Sequence, residues 1–263
     1  MSAIQNQLKL TILGSGTCVP SLARSACSAL VTFNEVLFLL DLGPGTMRRL
    51  LEAGVSIFDV THIGLSHFHP DHTGELVSFL FANKYPDGSL RRKPLTIIGG
   101  PGLFKFYQGL TDVFGEWIDL AGKLELIETK STTDEIAFSG FSLQTAAVRH
   151  RPESIAFRIN APNGKSLVYS GDTDVSENLV EISDSADILI CEAALPDEIK
   201  VDGHLTPSLA GKMASRANVK TLVLTHFYPE CEQADIEAQC RSTYLGPLEL
   251  ARDLLSLTLE GTP

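Results

Sequence analysis

Five apolar runs in this chain stop a few residues short of a histidine or an aspartate, and that regularity limits the architecture more than any other feature. Thr61–Leu65 leads to His67, Ser142–Val148 to His150, Ser166–Tyr169 to Asp172, Thr221–Leu224 to His226, and Val36–Leu40 directly to Asp41. Short apolar runs bounded by turn residues read as strands. Strand ends are where α/β folds gather their sites, because the sheet holds the first loop residues rigidly. Further strand-like runs lie at Leu8–Leu13, Ala29–Phe33, Leu95–Ile98, Lys123–Ile127, Ser154–Ile159 and Asp187–Ile190, and Asn163-Gly164 marks a tight hairpin. Helices are expected at Thr46–Ala53 (stopped by Gly54), Gly74–Ala82, Leu103–Phe114 and Ser208–Arg216, with a closing helical region after them. Two batches of strands flanked by helices predict an α/β sandwich. No linker, charge block or repeat divides it, so one domain over residues 1–263 is expected.

The stretch Ser66-His67-Phe68-His69-Pro70-Asp71-His72 carries the chemistry. In an extended segment His67 and His69 point the same way, since side chains alternate with a period of two. Past Pro70 the chain turns into a helix, and Asp71 and His72 can address a second position beside the first. A solvated histidine-rich loop is the plainer reading, but the H-x-H-x-D-H spacing at a strand-to-helix turn is specific. Imidazole and carboxylate without thiolate suit zinc, with manganese or iron(II) as the other choices. Two ions ~3.5–4 Å apart need roughly seven protein ligands and a shared carboxylate. His150, His226 and a bridging Asp172 complete that number.

Charge and cysteine usage narrow the setting. Lys plus Arg is 21 and Asp plus Glu is 32, a net charge of −11 that repels phosphate backbones unless a basic patch overrides it. The first residues, MSAIQNQLKLTILGSG, show no basic segment followed by an apolar stretch and a cleavage site, so no signal peptide is read. The run Val36–Leu40 is far too short to span a bilayer, and no membrane partner is expected. Five cysteines without a C-x-x-C pair fit reduced thiols in a cytoplasm.

H-x-H-x-D-H followed by a lone histidine, a G-D-T and a T-H resembles the metallo-β-lactamase superfamily, from Gly14-Ser15-Gly16-Thr17 to Thr225-His226. The resemblance implies a four-layer αββα sandwich with a dinuclear site between the sheets. His67, His69 and His150 would hold one ion, Asp71, His72 and His226 the other, and Asp172 would bridge. Asp41 would orient a ligand imidazole from behind. Within the superfamily the chain looks like the ribonuclease Z and phosphodiesterase branch. The opening ILGSGTCVPSLARSACSALV, the ICEAAL at 190–195 and the GHLTPSLAGKMA at 203–214 carry that likeness. It implies that Glu192 steadies His204, and that His204 meets the scissile phosphate or protonates the leaving oxygen. His204 alone would read as a surface histidine; the Glu192 pairing raises it.

The implied reaction is hydrolysis of a phosphodiester, small or RNA, by hydroxide generated between two divalent ions. Asp71 would orient the nucleophile, and His204 would serve as general acid. Ribonuclease Z carries a long Gly- and Pro-rich arm between its third histidine and bridging aspartate. Here that interval is only RPESIAFRINAPNGKSLVYSG, and the motifs read CEAA and HLTP. A small phosphodiester is therefore expected ahead of precursor tRNA. A lactonase or thioesterase, and a metal-binding sensor without activity, are the rival classes. His62 is expected to pack rather than ligate, and Leu103–Tyr107 with Phe114 and Trp117 to be core. An apolar lid or a homodimer face, as in family members, is the alternative for that stretch. Arg48-Arg49 and Arg91-Arg92-Lys93 are expected to be solvated.

Overall fold

The computed structural model describes residues 7–85, 90–130 and 133–261. They form two seven-stranded sheets. The first takes β1 (Gln7–Gly14), β2 (Ser28–Phe33), β3 (Val36–Leu40), β4 (His62–Leu65), β5 (Leu95–Gly99) and β6 (Leu124–Glu128). The second takes β7 (Asp134–Phe138), β8 (Phe141–Ala147), β9 (Ile155–Asn160), β10 (Ser166–Tyr169), β11 (Ile188–Glu192), β12 (Leu222–Thr225) and β13 (Leu248–Leu250). A last strand, β14 (Ser256–Glu260), returns to the first sheet beside β1. The helices are α1 (Thr46–Glu52), α2 (Pro70–Thr73), α3 (Leu76–Asn83), α4 (Leu103–Phe114), α5 (Glu177–Ile182), α6 (Pro207–Arg216) and α7 (Ile236–Arg241).

Alternation along the strands builds the layers. In β3, Phe38 and Leu40 join the core shared by both sheets, while Leu39 faces the opposite way into a second core with Leu50, Leu76, Phe79, Leu80 and Leu103. That second core seats α1, α3 and α4 on the outer face of the first sheet. Residues of α5 and α6 (Leu179, Ile182, Ala210, Met213) pack against the second sheet. The outcome is an αββα sandwich. β3, β4 and β5 are parallel, as are β10, β11 and β12, so their C-terminal ends gather at one edge of each sheet. β8 is antiparallel to β9, which is antiparallel to β10, so β8 points at that edge too.

Three expectations need correction. The chain's last part is not simply helical: after α7 come β13 and β14, because Leu255, Leu257 and Leu259 alternate along an edge of the first sheet and pack on its core. Arg91 is not solvated but 1% exposed. Its guanidinium is satisfied by the Asn83 Oδ1 (2.6 Å) and the Val60 and Ile57 carbonyls (2.9 and 3.0 Å), and it lies over the Phe79 ring. The 103–117 stretch is not uniformly core: Leu103 is buried, but Phe104 and Trp117 are more than half exposed, because α4 sits at the rim and buries one side only.

Candidate metal centre

Asp41 closes β3 with φ at 59°, a left-handed conformation that a non-glycine residue keeps only when its surroundings over-determine it. They do. Its carboxylate is completely buried and receives the Ser66 N–H (Oδ1, 2.7 Å), the Ser66 hydroxyl (Oδ2, 2.7 Å) and the Tyr169 hydroxyl (Oδ2, 2.7 Å). The same Oδ2 lies 2.6 Å from His72 Nδ1. The Ser66 hydroxyl donates to Asp41, so its lone pair takes the Nδ1–H of His67 at 3.0 Å. His150 Nδ1 donates to the Gly203 carbonyl at 2.9 Å. With Nδ1 engaged in this way, His67, His72 and His150 each turn Nε2 toward the centre.

Those nitrogens converge. Side-chain ligand atoms of His67, His69, His150 and Asp172 lie within 4.8 Å of one another, and so do those of Asp71, His72 and His226. Pro70 at the start of α2 turns the chain so that the first two histidines face one group while Asp71 and His72 face the other. Asp172 stands between them. Its Oδ2 is 3.7 Å from His67 Nε2 and 3.9 Å from His150 Nε2, and its Oδ1 is 3.2 Å from His72 Nε2 and 3.3 Å from His226 Nε2. His226 closes β12 at φ 62°, a second left-handed residue at the centre.

The arrangement calls for positive charge. His72 and His226 point Nε2 at Nε2 across 3.4 Å, and His150 Nε2 meets His69 Nδ1 at 3.3 Å. His67 Nε2 and Asp172 Oδ1 are buried without a hydrogen-bond partner among the described residues. Burial, with the neighbouring imidazoles, drives His67 down to about 2. His72 is pushed well above its ordinary value, burial notwithstanding, because Asp172 and Asp41 flank it. Burial would raise the Asp71 carboxyl, but His226 and His72 lower it to about 2. Buried carboxylate oxygens and imidazole nitrogens facing one another at these distances are satisfied together once cations lie between them, so the donor set fits divalent metal.

Glu192 and His204 are brought together beside these groups. Glu192 ends β11, 1% exposed, with Oε1 taking the Thr173 N–H (2.6 Å) and Oε2 the Leu205 N–H (3.2 Å). His204 Nδ1 lies 3.1 and 3.2 Å from the two oxygens. Burial works against its charge, but Glu192 and Asp172 raise it to about 9, so it is protonated at neutral pH. His204 also stands close enough to Asp172 and His226 to form a third possible ligand group. His62 lies apart, stacked on Phe38 and edge-on to Phe138 and Phe141. Sequence reasoning missed Ser66, Tyr169, Gly203 and Asp174, which hold these groups from behind. Tyr169 and Asp174 flank the S-G-D-T run, and that adjacency was the available signal. A cleft of about 550 Å³ opens beside Asp71, walled by Cys18, Val19, Pro20, Leu22 and Arg48.

Two facing sheets with this cluster at their common edge define the metallo-β-lactamase fold. The metallo-β-lactamase fold protein YhfI of Bacillus subtilis superposes with a TM-score of 0.82 over 97% of this chain and all of its own, at 19% identity. Human tRNase Z, short form, gives 0.77 over 95% of this chain and 98% of its own, at 24% identity. A ribonuclease Z of Mycobacterium bovis is 30% identical, covering 94% of this chain and 96% of the relative. The family model described as Anti-Pycsar protein Apyc1 matches residues 8–244. The chain belongs to the Apyc1 family, among the ribonuclease Z-like proteins of the metallo-β-lactamase superfamily.

Proposed function

We propose that the chain is a metal-dependent phosphodiesterase, with residues 1–263 acting as one domain whose two halves both supply ligands. The observation that carries this reading is the placement of Asp172, one oxygen toward His67 and His150 and the other toward His72 and His226. His67, His69 and His150 would hold one divalent ion, Asp71, His72 and His226 a second, and Asp172 both. Zinc suits five imidazoles and two carboxylates best, ahead of manganese or iron(II). Ions bound there supply an acidified water as nucleophile and draw charge from phosphoryl oxygens.

The chain's own residues supply the rest. Asp71 accepts a hydrogen bond from the nucleophile and aims it. Glu192 holds His204 through Nδ1, leaving Nε2 to donate a proton to the departing oxygen; a group raised to about 9 has that proton at neutral pH. The cleft beside Asp71 accommodates a substituent on the phosphate. The ribonuclease Z relative supports a phosphodiester over a lactone or thioester. Unpaired cysteines, four of the five buried, suit a reducing cytoplasm, and the exposed apolar side of α4 would serve a homodimer.

Metal analysis of the purified chain, run beside hydrolysis of an aryl phosphodiester, a lactone and a thioester, tests the reading. About two equivalents of metal and preferential phosphodiester hydrolysis are expected. A metal-free chain, or turnover of the lactone or thioester alone, would overturn it.

A further inference from the structure

We propose that Asp174 and Lys200 form a positioning clasp that sets the 200–204 loop, and through it both the imidazole of His150 and that of His204. The pair lies outside the ligand groups and has no role in the reaction as derived above. The proposal rests on that reading for what His150 and His204 do, but not for where the loop sits.

Residues 172–174 face three ways. Asp172 points into the centre, the Thr173 N–H binds Glu192, and Asp174 reaches out to the loop that crosses the site. Asp174 is 6% exposed, and its Oδ2 receives the Lys200 ammonium at 2.8 Å and the Gly203 N–H at 3.0 Å. Its Oδ1 takes the Val175 N–H at 2.7 Å, so both oxygens are engaged. Its own N–H donates to the Arg149 carbonyl at 2.7 Å, immediately before His150.

Gly203 transmits the constraint. At φ 88° its N–H turns to Asp174 while its carbonyl receives His150 Nδ1–H, and a Cβ there would stand 3.2 Å from that nitrogen. A loosened Gly203 would free the His150 ring to rotate and to change tautomer. His204 follows directly and must reach Glu192 from the same loop. The clasp thus sets two imidazoles through one peptide. Without Lys200, Asp174 would be a buried carboxylate held by backbone N–H groups alone.

The test uses the full chain with Lys200→Met, Lys200→Arg and Asp174→Asn, and three readouts. In the metal-free protein, amide exchange at Gly203 and Leu205 should quicken about tenfold or more in Lys200→Met, with core-strand amides unchanged. Zinc affinity, read by competition with a chelating dye, should fall about 10-fold or more, the usual effect of losing a group behind a ligand. The ratio of alkyl to nitrophenyl leaving-group rates should drop about tenfold as His204 is misplaced. Lys200→Arg should restore most of all three. Wild-type exchange, affinity and rate ratio in both Lys200→Met and Asp174→Asn would overturn the clasp, and so would a loss spread evenly over core and loop amides. If the wild-type chain hydrolyses no phosphodiester, the functional reading fails on its own, while exchange and zinc affinity still decide the clasp.

Discussion

Asp41 concentrates more structure on one side chain than any other residue at the centre. It accepts from Ser66 twice and from Tyr169 once, and it orients His72, all from a left-handed backbone position. Asparagine there keeps the volume but places an N–H₂ where an acceptor is required and removes the charge facing His72. Zinc affinity of Asp41→Asn should fall ~10–100-fold, with nitrophenyl phosphodiester hydrolysis following it at limiting zinc; unchanged affinity in chelator competition would show that His72 needs no partner. His204→Ala should behave differently. Hydrolysis of a diester with a basic leaving group should slow ~10²–10⁴-fold, while nitrophenolate release suffers far less. In the wild type, the slow substrate's rate should decline as pH rises through about 9, where His204 loses its proton. Equal losses for both leaving groups would make His204 a substrate-positioning residue. Spacing alone made the His67 to His72 run legible, because it crosses one strand-to-helix turn, whereas the roles of Asp41, Glu192 and His204 came from the family resemblance. Asp174, Lys200 and Arg91 were illegible, since their roles depend on chain segments tens of residues away.

Among the elements, legibility followed the strength of the local pattern. α4 is found at Leu103–Phe114 as its pattern predicts, and β10 at Ser166–Tyr169. β7, β13 and β14 are partly exposed edge or near-edge strands with weak patterns, and the sequence reading passed over them. The start of β10 and the approach to β11 are tied by Asp187, a contact no local pattern announces. Its Oδ2 accepts the Ser166 N–H at 2.9 Å and its Oδ1 the Lys220 ammonium at 2.9 Å, with Lys165 at 3.6 Å. Alanine there leaves a buried N–H unsatisfied and two ammonium groups unpaired, a loss of about 1–3 kcal/mol. Burial works against the charge, but Lys220 and the Ser166 N–H hold the Asp187 carboxyl below its ordinary range. A depressed carboxyl contributes its stability above the unfolded value, about 3.9, and loses it as pH falls through the lower folded value. The gap between wild type and Asp187→Ala should therefore persist from pH 7 to about pH 5 and narrow only below about pH 4. Urea midpoints of the metal-free proteins at several pH values measure it, and equal midpoints at pH 7 would remove Asp187 from the account.

At the scale of the whole molecule, the question is which phosphodiester the centre meets. The net charge of −11 repels a polyanion, and the repulsion reaches out to about 8–10 Å at ordinary ionic strength. A local basic surface would have to overcome it, and the structure reduces the candidates. Arg91 is buried, Arg49 is held by Asp253 and Glu52, and Arg48 is paired with Glu52. Arg92 remains exposed, and Lys93 reaches Glu35. Between His150 and Asp172 the chain forms only the β9–β10 hairpin, which leaves no length for an arm to grip RNA. Tight precursor binding draws on many phosphate contacts, each adding to the salt dependence, whereas a small diester needs only the centre and the cleft beside Asp71. We expect turnover of small phosphodiesters with slow, unspecific action on a tRNA precursor, despite the 30% identity to a ribonuclease Z. Rates on an aryl phosphodiester and on a precursor with a 3′ trailer, compared at matched salt, decide the matter. Efficient trailer removal at one site, weakening steeply with salt, would mean that Arg92 meets phosphate and that Arg48 and Lys93 exchange Glu52 and Glu35 for it.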